Sequence, residues 1–365
     1  MVPAAGALHR GLPEGHGAGH QVPQPDLHGC QTAGPAAGGP ARSCARRRRA
    51  IAQRRTVSLP DGATPDAVRH SLVEFLPPKF QPYARMSRLD RPIGWWLLLL
   101  PCWWSEAMAA RLAGHVPSLW TLLLFLIGAV AMRGAGSTWN DITDKDLDAK
   151  VARTRARPLP SGQITTKEAF VWLGLQGLLG LAVLSQFNRF AILMGFLSLL
   201  PVLVYPFMKR FTNHPQLVLG LAFAWGALMG FATHLGALPV AGYLLYAGAI
   251  CWVVGYDTIY ALQDIEDDAI VGIGSTARAY GEHVRAFIAA MFILTVGLIG
   301  LAMMRVGVGP AAWLGLAAFA GHLGWQLVVV DRNDPVQALR LFRANRDAGL
   351  LLFAGLAVDA VSAGL

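Results

Sequence analysis

From Ile93 onward the sequence alternates long apolar stretches with short polar segments. Nine such stretches begin near Ile93, Leu119, Ala169, Phe190, Leu217, Ala241, Ala286, Ala311 and Gly349. Each can cross, or nearly cross, a bilayer as a helix at roughly 20 residues per crossing. The pattern predicts an all-α protein, a polytopic membrane bundle of nine transmembrane helices, with the last crossing the shortest. Glu106 falls inside the first crossing, near its outer end. Upstream the pattern disappears. Residues 1–75 are rich in Gly, Pro, Ala and Arg, carry the run Arg46 to Arg49 and show no sustained apolar period, so they cannot bury a core. A disordered N-terminal extension is expected there, with 76–365 as the membrane domain. The scarcity of acids before Asp61 is that of a transit peptide, and a start codon placed upstream of the true one would give the same composition.

Composition sharpens this picture. With 54% hydrophobic and 15% charged residues, the chain is unlike a large soluble α/β enzyme. Forty Gly and eleven Trp suit close helix packing and interfacial anchoring in a membrane. Cys30, Cys44, Cys102 and Cys251 are too scattered for a zinc site or a disulfide framework. The net charge of +9 reflects membrane orientation and not a nucleic-acid surface. If the segment before Ile93 is cytoplasmic, eighteen Lys and Arg fall on that side and only Arg111, Arg189 and Arg305 on the other. The loops after the second, fourth, sixth and eighth crossings then share the cytoplasmic face.

Two of those loops begin with acids. At the end of the second crossing, Asn140, Asp144 and Asp148 stand at i, i+4 and i+8, one face of a helix on which like charges repel and attract a cation. At the end of the sixth, Asp264 and Asp268 repeat the spacing. Two carboxylate groups at one depth suit two hard cations, and Mg²⁺ completes its shell with water and phosphate oxygens. A solvated acidic helix end is the bland alternative for either cluster alone. Arg153, Arg157, Lys209 and Arg210 lie on the same face and match an anionic phosphate ligand. Arg133 lies two turns before Asn140, inside the crossing, where an unpartnered charge is costly.

These segments resemble the UbiA superfamily of prenyltransferases, most closely its 4-hydroxybenzoate polyprenyltransferase branch, from about Arg85 to the C-terminus. The resemblance is carried by Arg88 to Gly94, the Asn140 to Asp148 cluster, Arg157 to Gly162, Tyr205 to Arg210, Tyr256 to Thr258 and Asp264 to Asp268. It implies helices around a central cavity that holds the prenyl tail. It also implies one Mg²⁺ on Asn140, Asp144 and Asp148 and another on Asp264 and Asp268, with Asp144, Asp148, Asp264 and Asp268 as the catalytic acids. Arg153, Arg157, Lys209 and Arg210 would hold the diphosphate, and Arg133 would meet the carboxylate of the aromatic acceptor. The implied substrates are polyprenyl diphosphate and 4-hydroxybenzoate, in ubiquinone biosynthesis, at a cell inner membrane with the site facing the cytoplasm. Gly274 stands where the branch carries Lys or Arg, which implies one cationic contact fewer.

Two alternatives stand beside this one. Another acceptor, of the homogentisate, naphthoate, haem or chlorophyll type, would use the same donor chemistry. A cation transporter would also carry membrane acids, but near the midplane and without arginines beside them.

Overall fold

A computed structural model describes residues 71–150, 154–208, 211–263, 265 and 274–364. The extension expected over residues 1–75 therefore falls almost wholly outside the described residues. What is described of it is a 3₁₀ turn, Leu72–Phe75, whose Ser71 side chain accepts a hydrogen bond from Val73 N at 3.1 Å. A short helix, Gln81–Met86, follows.

The long helices of the described chain are α1 (Ile93–Ala113), α2 (Leu119–Thr143), α3 (Thr166–Leu184), α4 (Arg189–Met208), α5 (Pro215–Leu235), α6 (Val240–Ala261), α7 (Thr276–Val306), α8 (Pro310–Val329) and α9 (Pro335–Gly364). Local chemistry sets their ends. Gly114 closes α1 in the left-handed conformation at φ 71°. Ser118 opens α2 by accepting from Thr121 N at 3.2 Å. Thr165 and Glu168 open α3 with reciprocal bonds, Glu168 N to Thr165 Oγ1 at 3.2 Å and Thr165 N to Glu168 Oε2 at 2.8 Å. Pro201 has no N–H to give, and α4 is interrupted just before it, at Ser198.

Eight of these helices, α2 to α9, are long and apolar enough to cross a membrane. The remaining expected crossing, α1, has 21 residues but carries Ser105, Glu106 and Arg111. Instead of facing lipid along its length, α1 sits at the centre of the bundle. Its Leu97, Leu100, Trp104 and Met108 belong to one core with Phe231 of α5, Trp252 of α6, Phe319 of α8 and Leu352 of α9. The Trp104 ring lies 4.9 Å from that of Trp252 and 5.8 Å from that of Phe319, and its Nε1 donates to Gly349 O at 2.9 Å. Lipid tails are as apolar as the helix faces, so association here depends on close packing and buried hydrogen bonds. Trp252 Nε1 donates to Asn345 Oδ1 at 3.0 Å, and Asn345 Nδ2 to Gln326 Oε1 at 3.0 Å, tying α6, α9 and α8 together.

Two details differ from the hydropathy pattern. The last helix is not the shortest: α9 runs 30 residues from Pro335. Its buried Ala338, Leu341, Asn345, Ala348 and Leu352 continue one stripe, while Arg340, Arg343 and Arg346 keep the average hydropathy of its first half low. Glu106, for its part, is fully buried and fastens the outer end of the α1–α2 hairpin. Its Oε1 accepts from Ser118 N at 3.3 Å and pairs with His234 Nδ1 of α5 at 3.2 Å. His234 Nε2 in turn faces His115 Nδ1 at 3.4 Å.

The helix α5 is interrupted at Ala224 and Trp225, and Ser105 of α1 bridges the restart. Its buried Oγ donates to Gly226 O at 2.8 Å and accepts from Gly230 N at 2.9 Å. Ser105→Ala strands a buried donor and acceptor, so it should lower stability by about 1–3 kcal/mol. Thermal unfolding of the purified protein in detergent reads this directly, and an unchanged midpoint would remove Ser105 from the account of the α5 break.

Candidate active site

Helices α1 to α6 and the start of α9 surround a cavity of about 490 Å³. Its deeper walls are apolar, including Leu98, Phe125, Met132, Leu184, Phe187, Val202 and Met229. Toward the inner ends of α2, α4 and α6 the lining turns polar, with Arg91, Arg133, Asn140, Arg157, Tyr205, Asp257 and Tyr260. An extended apolar chain with a charged head matches this division in shape and polarity.

The first acidic cluster is held differently from the single helix its spacing predicts. The helix α2 ends at Thr143, Asp144 closes it, and Lys145–Asp148 form a separate short turn. The register nevertheless survives. Asp144 N donates to Asn140 O at 3.0 Å and Asp148 N to Asp144 O at 2.8 Å, so the three residues remain linked at helical intervals. Asn140 lines the cavity, while Asp144 and Asp148 are buried beside it.

The charge balance turns on Asp141, which the i, i+4, i+8 spacing passes over. Asp141 has 0% exposure. Its Oδ1 accepts from Arg88 Nη2 at 2.5 Å and from Arg157 Nη1 at 3.2 Å, and the same Arg157 nitrogen reaches Asp148 Oδ2 at 2.7 Å. Arg88 and Arg157 stand outside the spans, before α1 and after α2. Burial pushes the Arg88 guanidinium down to about 10, with Asp141 pulling against it. Burial also works against charge on Arg157, but Asp141 and Asp148 outweigh it and hold that guanidinium above its ordinary value. Arg88 also adopts φ 59°, the only positive φ at a non-glycine among the described residues. That backbone costs roughly 1–2 kcal/mol and aims the side chain at Asp141. The signal that could have revealed Asp141 was its own placement, an acid in the last turn of a transmembrane helix that needs a cation.

Of the other residues expected at the site, Arg133 and Arg157 line the cavity with Asn140. Arg153, Lys209, Arg210, Asp264 and Asp268 lie outside the described residues. Among the described residues no three or more His, Cys, Asp or Glu are grouped so as to hold a metal ion. The first cluster supplies two carboxylates and one amide, an all-oxygen set of the kind Mg²⁺ prefers, which needs further oxygens from water or phosphate. Tyr256, expected only as part of a motif, is buried in the wall, and its hydroxyl has no hydrogen-bond partner among the described residues. Gly274 also acquires a structural reason. A Cβ there would collide with the Thr212 carbonyl oxygen and stand 2.9 Å from Asn213 Cα, so the local backbone packing leaves no space for Lys or Arg.

The described chain is thus a bundle of membrane-length helices around an apolar cavity that turns polar at one end, at Arg91, Arg133, Asn140, Arg157 and Asp257. Residues 98–353 match the UbiA prenyltransferase family, and the chain belongs to that family. It is 43% identical over 282 residues to the mitochondrial 4-hydroxybenzoate polyprenyltransferase of Arabidopsis thaliana, covering 77% of this chain and 69% of that protein. It is 42% identical over 287 residues to the human protein of the same name, covering 78% and 77%. The fold is similar to that of a UbiA homologue from Aeropyrum pernix K1, with TM-score 0.61 and 27% identity over 72% of this chain and 97% of that one. It is also similar to a UbiA homologue from Archaeoglobus fulgidus solved with GPP and Mg²⁺, with TM-score 0.57 and 19% identity over 77% and 99%.

Removing the charge of Asp141 takes from buried Arg88 its carboxylate partner and leaves Arg157 with Asp148. Asp141→Asn should therefore cost about 3–5 kcal/mol of stability, far more than the same change at exposed Asp146. Paired thermal melts of the two variants give the comparison, and equal midpoints would refute the pairing.

Proposed function

We propose that this protein transfers a polyprenyl chain from polyprenyl diphosphate to the ring of 4-hydroxybenzoate, releasing diphosphate, as a step of ubiquinone biosynthesis in an inner membrane. The observation that carries this reading is the apolar cavity whose polar end is lined by Asn140 and Arg157, with Asp148 buried behind Arg157 and Asp144 buried one turn beyond Asn140. The side bearing the excess of Lys and Arg is taken as the inner face, so the site opens to that side. The placement of acids and arginines at one end, away from the midplane, favours an anionic phosphate ligand over a transported cation. The names of the relatives support 4-hydroxybenzoate over homogentisate, naphthoate, haem or chlorophyll acceptors.

Asn140, Asp144 and Asp148 would hold one Mg²⁺, and Asp264 and Asp268 a second; bound there, Mg²⁺ neutralises the charge that develops on departing diphosphate. Arg153, Arg157, Lys209 and Arg210 grip the diphosphate oxygens. The allylic C–O bond breaks with its electron pair leaving on diphosphate. The ring carbon ortho to the phenolic hydroxyl then attacks the allylic cation, and loss of the ring proton restores aromaticity. Walls such as Phe125, Phe187 and Met229 keep water from capturing the cation. Arg133, in the cavity wall two turns before Asn140, meets the acceptor carboxylate.

Incubating membranes that contain the protein with labelled 4-hydroxybenzoate and prenyl diphosphates of several lengths tests the activity itself. Turnover should disappear on chelation of Mg²⁺ and return on its addition. Asp144→Ala and Asp264→Ala should each abolish it while the protein still inserts. Near-normal turnover in either variant would refute the two-metal arrangement.

Arg133→Ala should reduce kcat/KM for the acceptor by about 1.5–3 kcal/mol and leave the prenyl donor KM nearly unchanged. Steady-state kinetics with each substrate varied in turn separate the two, and a defect confined to the donor would exclude Arg133 from acceptor recognition.

A further inference from the structure

Arg133 is fixed in the cavity wall by shape. Its guanidinium lies against the backbone of Gly94, in the first turn of α1. A Cβ at residue 94 would stand 2.5 Å from Arg133 Nε and 3.2 Å from both Cζ and Nη2. The ring of Phe223, the last residue of α5 before its interruption, lies 5.3 Å from Cζ. Nε is buried and has no hydrogen-bond partner among the described residues. All three residues line the same cavity. The contrast with Arg88 and Arg157 is chemical: Arg88 pairs with Asp141 and Arg157 with Asp141 and Asp148, whereas Arg133 lies against an absent side chain and an aromatic face.

A protein carboxylate would hold the guanidinium more tightly but would occupy its in-plane donors and cancel its charge. An aromatic face attracts the cation through the ring quadrupole and leaves those donors open. We infer that Gly94 and Phe223 are positioning residues for the acceptor, which set the Arg133 guanidinium by packing and so keep its N–H groups available to an aromatic carboxylate. The inference rests on the proposed role of Arg133 toward that carboxylate and adds how the role is built. Residue 94 acts on specificity through its lack of volume. Residue 223 acts through its π-face.

The test uses the full chain, purified in detergent and reconstituted with Mg²⁺ and a polyprenyl diphosphate, with 4-hydroxybenzoate and its uncharged amide as acceptors. Gly94→Ala places a methyl group where Nε now lies and should raise the KM for 4-hydroxybenzoate about 10-fold or more, while the donor KM stays within about twofold. Its preference for the acid over the amide should fall by a similar factor. Phe223→Leu, which keeps apolar bulk but loses the face, should shift the acceptor KM in the same direction, and Phe223→Tyr should restore it. Wild-type acceptor KM in Gly94→Ala, or equal losses for donor and acceptor, would overturn the positioning role. So would a Phe223→Leu enzyme indistinguishable from Phe223→Tyr. If Gly94→Ala does not accumulate as folded protein, the Phe223 pair decides alone. Arg133→Ala separates the two levels. A normal acceptor KM there defeats the assignment of Arg133 itself, whereas a defect there combined with normal Gly94→Ala and Phe223→Leu enzymes defeats only the positioning.

Discussion

A carboxylate without solvent, placed in the last turn of a transmembrane helix, costs several kcal/mol unless opposite charge reaches it. Asp141 is that carboxylate, and the arrangement around it follows from meeting its demand. The two guanidinium groups come from opposite flanks of α2, one from the turn before α1 and one from the loop after α2. Both flanks are thereby drawn to the same point beside the cavity. Arg157 then extends the ion cluster to Asp148, which fixes the far end of the acidic segment. An acidic helix terminus that would otherwise spread apart by repulsion is held closed, with Asn140 on the cavity side and the acids behind it.

The same economy operates at the other end of the bundle. Glu106 is as deeply buried as Asp141, but it is answered by a backbone N–H and an imidazole, not by arginine. One end of the bundle therefore holds guanidinium groups against its buried carboxylates, whereas Glu106 is met by a backbone N–H and an imidazole.

Hydropathy is a local property, and the positions of the crossings were legible because each crossing must satisfy the bilayer by itself. The start of α9 was hidden because its buried stripe is shared with charged residues that average it away. The metal-type spacing of Asn140, Asp144 and Asp148 was legible for a related reason: helical intervals are written in the sequence. Asp141, about 100° around the helix from Asn140, fell outside that spacing. Its partner Arg88 lies 53 residues away, and Glu106 and His234 are 128 apart, separations at which sequence carries no pairing signal. The glycine at 274 looked like a lost cation, because the nearness of the Thr212–Asn213 backbone exists only in three dimensions.

The length of α9 has a mechanical consequence. Thirty helical residues extend about 45 Å, against a hydrocarbon core of about 30 Å. The surplus lies at the end that begins at Pro335, where Arg340 and Arg346 can reach the headgroups while Leu339, Phe342 and Arg343 line the cavity. Such a helix accommodates a thinner or thicker bilayer by tilting about its packed middle. Its inner end then moves the most, and that end is part of the cavity wall.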